Sequence, residues 1–105
     1  MTSSLEIDER RVGGRLILSL SGELDRASEA ELVCRLSRAV HSGADVVVDL
    51  RDLEFIDPSG VGTLRRAAAW AAHDGWTLAI TGAPPHVARV FRLTPADAFL
   101  PLRAA

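Results

Sequence analysis

Val46-Val47-Val48-Asp49-Leu50-Arg51-Asp52-Leu53-Glu54-Phe55-Ile56-Asp57-Pro58-Ser59-Gly60-Val61-Gly62 is the stretch whose reading decides the fold. Its first five residues are β-branched or apolar around one aspartate and too few for an independent helix, so they read as an interior strand. Pro58 then sets a boundary. The residue before a proline is pushed out of the α region, whereas proline itself suits the first position of a helix. Asp57 is therefore expected as the N-cap, and Ser59 as a hydroxyl in the first turn of a helix running from Pro58 to about His73.

Working outward, Leu5-Glu6-Ile7-Asp8 alternates apolar and acidic residues as an edge strand does, and Gly13-Gly14 turns it into Arg15–Leu20. That is a hairpin. After Gly22 the order is helix, strand, helix, strand, which favours parallel strands joined by helical crossovers. Ser28 with Glu31 reads as a capping box opening the first helix, whose buried face comprises Leu32, Val33, Leu36, Ala39 and Val40 and which closes at Gly43. Trp76 to Thr81 is the next strand. Pro84-Pro85 followed by Val87, Val90 and Phe91 reads as a third, core-packing helix, and Phe99-Leu100-Pro101-Leu102 leaves room for a short strand or turn.

Sorting the strands by parity puts Leu16, Leu18, Leu20, Val46, Val48, Leu50, Trp76, Leu78 and Ile80 on one side of the sheet. Ile17, Ser19, Ser21, Val47, Asp49, Thr77, Ala79 and Thr81 fall on the other, a face too small and polar to be covered. The expected fold is α/β: a single-layer, mixed, mostly parallel sheet with helices mainly on one face. At 105 residues it forms one domain over 1–105.

Hydrophobic residues at 48% and charged residues at 25% give the ordinary globular balance and exclude disordered and fibrous classes. No apolar run reaches the roughly 20 residues of a membrane span, and Met1–Arg11 lacks a signal-peptide core, so the cytoplasm is the expected location. The net charge of −2 carries no basic track for a phosphate backbone, which argues against direct nucleic-acid binding. A single cysteine, Cys34, cannot form an internal disulfide and is expected as a buried or half-buried apolar side chain.

Helical phase places Val61, Leu64, Ala68, Ala71 and Ala72 on the buried stripe of the second helix, with Ser59, Thr63, Arg66 and Trp70 opposite. Two hydroxyls, a guanidinium and an indole in one outward line suit a docking ridge. The alternative for Trp70 is that it tucks under the C-terminal segment. Enzyme readings find less to stand on. Pro58-Ser59-Gly60 lacks the nucleophile elbow of serine hydrolases, and His41, His73 and His86 have no evident partner carboxylate. Gly60-Val61-Gly62 lacks the spacing and lysine of a phosphate loop, and the histidines lack metal-ligand spacing. No cofactor or metal is expected.

Gly22-Glu23-Leu24-Asp25, Val46–Leu50 with Leu53, Phe55-Ile56-Asp57, and Ser59-Gly60 with Gly62 together resemble STAS domains, and within them the bacterial anti-sigma factor antagonists. The resemblance covers nearly the whole chain. It implies that Ser59 is the acceptor for a kinase that is also an anti-sigma factor and brings its own ATP. The unphosphorylated domain would bind that kinase and free the sigma factor; the phosphorylated domain would let go until a phosphatase restores Ser59. Asp25 matches the acidic residue that helps form the docking surface. The implied partner-binding set is Glu23, Asp25, Asp57, Ser59 and Gly60, with Thr63, Arg66 and Trp70 added from helical phase. Pro58 stands where serine is common in the family. The alternative is a non-phosphorylated STAS scaffold or accessory subunit, such as that of a lipid-transport ATP-binding cassette system.

Overall fold

The three valines nucleate a longer strand than their own run. In the computed structural model, which describes residues 4–94 and 102–103, they lie in β3, Asp45–Ile56, at the centre of a five-stranded sheet. The other strands are β1 (Leu5–Val12), β2 (Arg15–Leu24), β4 (Leu78–Thr81) and β5 (Leu102–Arg103), and sheet order equals chain order. Only β1 runs antiparallel, through the hairpin at Gly13-Gly14, where Gly13 takes φ 62°, a left-handed conformation that glycine adopts without steric cost. The remaining pairs are parallel and need crossovers, supplied by α1 (Glu29–His41), α2 (Pro58–Asp74) and α3 (Pro85–Leu93).

Parity sorts the sheet faces as the sequence suggests. Leu16, Leu18, Leu20, Val46, Val48, Leu50, Leu78 and Ile80 are buried under the helices, whereas Ile17, Ser19, Ser21, Val47, Asp49, Ala79 and Thr81 are half-buried on the open face. The register aligns Asp8, Ser19, Asp49 and Thr81 as one polar row across four strands of that face. Trp76 departs from the expectation. The fourth strand begins only at Leu78, because the Gly75 and Trp76 N–H groups both bond to the Ala71 carbonyl and complete the end of α2.

Beyond Leu50 the strict alternation of β3 breaks. The register against β2 shifts between Ser19 and Ser21 and again between Gly22 and Glu23, each time with an extra residue on β3. Each insertion reverses the side a residue faces, so Leu53 and Ile56, three apart, both stay in the core.

Helix α1 corrects two details. Ser28 makes no side-chain cap to α1; the capping box is formed instead by Asp25 and Ser28 around the 3-10 turn Arg26–Ser28. Ser28 is fully buried, and its hydroxyl turns back to accept from the Asp25 N–H at 2.9 Å and donate to the Glu23 carbonyl at 3.1 Å, leaving Glu31 exposed. The buried stripe narrows to Leu32, Leu36 and Ala39. Val33, 45% exposed, and Cys34, also exposed, lie beside it facing away from the sheet rather than within the core. In α3, Val87 and Phe91 are buried as the third helix requires. Strand β5 begins at Leu102; the expectation for Phe99 to Pro101 falls outside the described residues.

Helix α2 is rolled relative to its expected phase. Its buried residues are Gly60, Val61, Gly62, Thr63, Leu64, Ala67 and Ala71, while Ala68 is half-buried and Ala72 exposed. The first two turns are enclosed because α2 packs on α1 as well as on the sheet. Gly60 sits at the tightest point: a Cβ there would lie 2.4 Å from the Leu24 carbonyl oxygen and 2.8 Å from Ile56 Cγ1. Replacing Gly60 with alanine should therefore force α2 off the sheet and lower stability by about 1–3 kcal/mol, as overpacking of a tight core does. Urea denaturation checks this: a clearly lower midpoint is expected, and an unchanged one would mean the contact yields without cost.

Candidate functional site

The carboxyl ends of β2 and β3 and the start of α2 meet at one edge of the sheet, where open α/β folds commonly bind ligands. The local sequence explains the meeting. Asp57 is extended (φ −113°, ψ 176°) as a residue before proline should be, and Pro58 opens the helix. The Asp57 N–H donates to the Leu24 carbonyl at 3.3 Å, and its Oδ1 accepts from the Gly60 N–H at 2.9 Å and from the Ser59 hydroxyl at 2.5 Å. Ser59 is half-buried, and its Oγ is held at the helix start by the capping carboxylate.

The Asp57 carboxyl is held below its ordinary range. Partial burial alone would raise it, but the Ser59 hydroxyl, the Gly60 and Ser59 N–H groups and the nearby Arg26 charge together outweigh burial. Asp57 is thus an anion that accepts hydrogen bonds, and a weak base toward the Ser59 proton.

Around this pair, the structure distributes the expected residues unevenly. Asp25 lies at the end of β2, but its carboxylate is engaged in its own turn, accepting from the Ala27 N–H at 3.0 Å and the Ser28 N–H at 3.2 Å. Glu23 is exposed and pairs in register with Phe55. Gly60 is buried against Leu24, and its role is to let the helix approach rather than to offer surface.

The outward ridge of Ser59, Thr63, Arg66 and Trp70 is corrected. Thr63 is 1% exposed, its hydroxyl donating to the Ser59 carbonyl at 3.1 Å, because that side of α2 faces α1. Arg66 reaches across to α1, pairing with Glu29 and donating to Thr63 Oγ1 at 3.3 Å. Trp70 is half-buried, edge-on to Trp76 with ring centroids 5.1 Å apart, and its indole N–H donates to Asp74 at 2.8 Å. It belongs to the packing at the far end of α2.

Two residues of the site were not selected from sequence. Phe55 is 48% exposed beside Glu23, because the second register shift turns it out of the core. Arg26, exposed in the 3-10 turn, acts through space on Asp57. The only sequence sign of either was a large apolar residue and a lone cation flanking the acidic motifs.

His73 does have a carboxylate neighbour: its Nδ1 lies 2.8 Å from Asp74, and both are exposed. That pair is some 20 Å along the helix from Ser59, counting about 1.5 Å per residue, and cannot serve its hydroxyl. His86 Nε2 lies 2.9 Å from the Glu54 carbonyl, and His41 Nδ1 2.7 Å from the Ser37 carbonyl. Among the described residues no group of three or more His, Cys, Asp or Glu side chains could hold a metal ion, and no helix is long and apolar enough to cross a membrane.

A one-sided α/β layer that presents a helix-start hydroxyl beside two strand ends defines a class of small α/β modules. The family model for "Mlab, STAS domain" matches residues 7–102, and the chain belongs to the STAS domain family. It is similar to the anti-sigma F factor antagonist of Paenibacillus polymyxa, with 26% identity over 101 residues that cover 94% of this chain and 86% of that protein. The anti-sigma factor antagonist SpoIIAA in its unphosphorylated form shares the fold at TM-score 0.75 and 21% identity, over 95% of this chain and 88% of that one. The Bacillus cell fate determinant SpoIIAA in its phosphorylated form does so at TM-score 0.69 and 20% identity, over 95% and 91%.

Two measurements probe the site's structural claims. A carboxyl held low in the folded state contributes stability above its unfolded value near 3.8, and that contribution disappears as pH falls through the folded value. Asp57→Asn should therefore be less stable than wild type at pH 7, with the gap closing as pH is lowered below about 4; a gap that is constant in pH would show the ionised carboxylate is not the stabilising form. Trp70→Ala should cost about 2 kcal/mol of stability, less than the roughly 3–5 of a fully buried aromatic, because part of the indole already meets solvent. An unchanged thermal midpoint would return Trp70 to the surface.

Proposed function

We propose that this domain is an anti-sigma factor antagonist switched by phosphorylation at Ser59. Its partner is a serine kinase that is itself the anti-sigma factor and carries its own ATP. Unphosphorylated, the domain binds that kinase through Glu23, Phe55, Asp57 and Ser59, with Asp25 shaping the turn beneath them, and the sigma factor is freed. In the transfer the γ-phosphoryl passes from ATP to Oγ, ADP leaves, and the hydroxyl proton goes to a base on the kinase. A phosphatase reverses the modification. The cycle runs in the cytoplasm, and the domain is a substrate and binding partner rather than an enzyme.

The observation that carries this reading is the placement of Ser59: a half-buried hydroxyl in the first turn of α2, hydrogen-bonded to Asp57 at the meeting of two strand ends. A phosphate adds a charge of about −1.5 to −2 there. Helix N-terminal N–H groups favour it, so the fold need not change. Asp57 and Glu23, by contrast, repel it, and a partner that had covered Ser59 would have to bury a dianion beside carboxylates. Support also comes from similarity to proteins named as anti-sigma factor antagonists and from the existence of one of them in unphosphorylated and phosphorylated forms. Against a hydrolase, Ser59 donates to a carboxylate held in its ionised form, and each histidine is engaged elsewhere.

The test is to incubate the protein with candidate anti-sigma kinases of its source and ATP and to locate phosphate by mass spectrometry. Ser59 should carry it, and Ser59→Ala should keep the fold while incorporating less than a tenth as much. Full incorporation into that variant would move the acceptor elsewhere. A constitutive scaffold is favoured by one feature, the commitment of the Ser59 hydroxyl to Asp57, and partner binding with no modification under any kinase would select it.

A further inference from the structure

Strand β1 is an edge of the sheet, and no described strand pairs with its outer side. Alternate residues of an antiparallel strand turn both backbone groups to the same neighbour. The phase on β1 is fixed at one end by the Glu23 N–H, which donates to the Ser4 carbonyl at 3.3 Å, and at the other by the tight turn that Val12 and Arg15 flank. Glu6, Asp8, Arg10 and Val12 therefore bond to β2, and Ile7, Glu9 and Arg11 aim their N–H and C=O groups outward. One outward group is already taken. Arg35 of α1 donates through Nη2 to the Ile7 carbonyl at 3.0 Å and through Nη1 to Glu9 Oε1 at 3.0 Å. Its guanidinium stands across the open edge, where the N–H of an added strand would come.

We propose that the outer edge of β1 is a pairing surface for a second copy of this chain, and that Arg35 keeps it closed. An unpaired edge strand is a template for another strand, and a charged side chain is a common way to blunt it. The charges on β1 select the occupant. Only residues of the same phase oppose each other in an antiparallel ladder, so a two-fold axis at Glu9 sets Ile7 of each copy against Arg11 of the other, and Asp8 against Arg10. Asp8 and Arg10 are exposed, and their side chains form no hydrogen bond or ion pair with a described residue. Their pairing falls at the non-bonded positions, where side chains across a ladder come closest. An axis at Asp8 or at Arg10 would instead bring like charges together there. Glu9 meets its own copy at the wider, bonded spacing. Arg35 closes the edge by filling the Ile7 carbonyl that would accept the incoming Arg11 N–H, and Glu9 anchors it there.

The test is sedimentation velocity of the full chain at about 0.5 mM, a high concentration because two paired strands bury less than the roughly 1,200 Å² of a stable interface. Wild type and Glu9→Gln should be monomers, since Arg35 still holds the Ile7 carbonyl in both. Arg35→Met combined with Glu9→Gln removes the guanidinium and the like charge on the axis, and it should sediment largely as a dimer. Arg35→Ala in the same background should match it, which separates strand pairing from association through the methionine. Adding Asp8→Arg should restore the monomer. In the dimer the amides of residues 7, 9 and 11 should exchange about tenfold more slowly, while those of residues 8 and 10, already bonded to β2, should not change. Exposed ion pairs contribute little to stability, so the variants should melt near wild type. Folded double variants that stay monomeric, a dimer in wild type, a dimer that survives Asp8→Arg or one without protection at 7, 9 and 11 would each overturn the assignment. Unfolding of both Arg35 variants would do the same, making that side chain a determinant of folding instead.

Discussion

The approach of the Gly60 α-carbon to the Leu24 carbonyl is the contact on which the rest of the site depends. A methyl group there would stand 2.4 Å from the oxygen, so only glycine allows α2 to begin this close to the end of β2. With the helix so placed, the Asp57 N–H reaches Leu24, the Asp57 carboxylate closes over the Gly60 N–H, and the Ser59 hydroxyl completes the set. A backbone clearance thus fixes where a side-chain hydroxyl lies. A serine on a loose loop would have no such fixed position and would present a partner with the entropic cost of ordering it.

The same closeness makes the site small. Five successive residues of α2, Gly60 to Leu64, are buried, so little of the helix near Ser59 reaches solvent. The accessible surface at this edge comes from the strand ends instead, where the exposed Glu23 and Phe55 pair across β2 and β3. Under the proposed reading, the exposed ring of Phe55 would supply apolar contact to a partner and the Glu23 carboxylate paired with it would supply orientation.

Charge is arranged asymmetrically. Asp25 and Asp57 both spend their carboxylates on backbone N–H groups, which satisfies the ends of the 3-10 turn and of α2 and holds each anion in place. The cations divide differently. Arg66 and Glu29 neutralise each other between α2 and α1, and Arg35 does the same with Glu9 on β1. Such exposed pairs contribute little to stability, and the Arg26 charge acts on the Asp57 carboxylate only through space.

Much of this was legible before any coordinates. β-branched runs, Gly-Gly and Pro58 define strands, hairpin and helix start through local sterics that act within a few residues, so the mixed, mostly parallel sheet, its one covered face and the Asp57 cap followed from the sequence alone. The family resemblance, too, lay in contiguous motifs. What required tertiary structure was whatever depends on two elements pressing on each other. The roll of α2 toward α1 buries Thr63 and removes the ridge that helical phase alone suggested. Two extra residues on β3 turn Phe55 outward, a consequence of strand register that no window of one strand contains. Ser28 caps backward because the chain leaving β2 offers it nearer partners than Glu31 does. Local sterics are written in neighbouring residues; the phase of a helix and the register of a strand are set by what they pack against, and that exists only once the chain has folded.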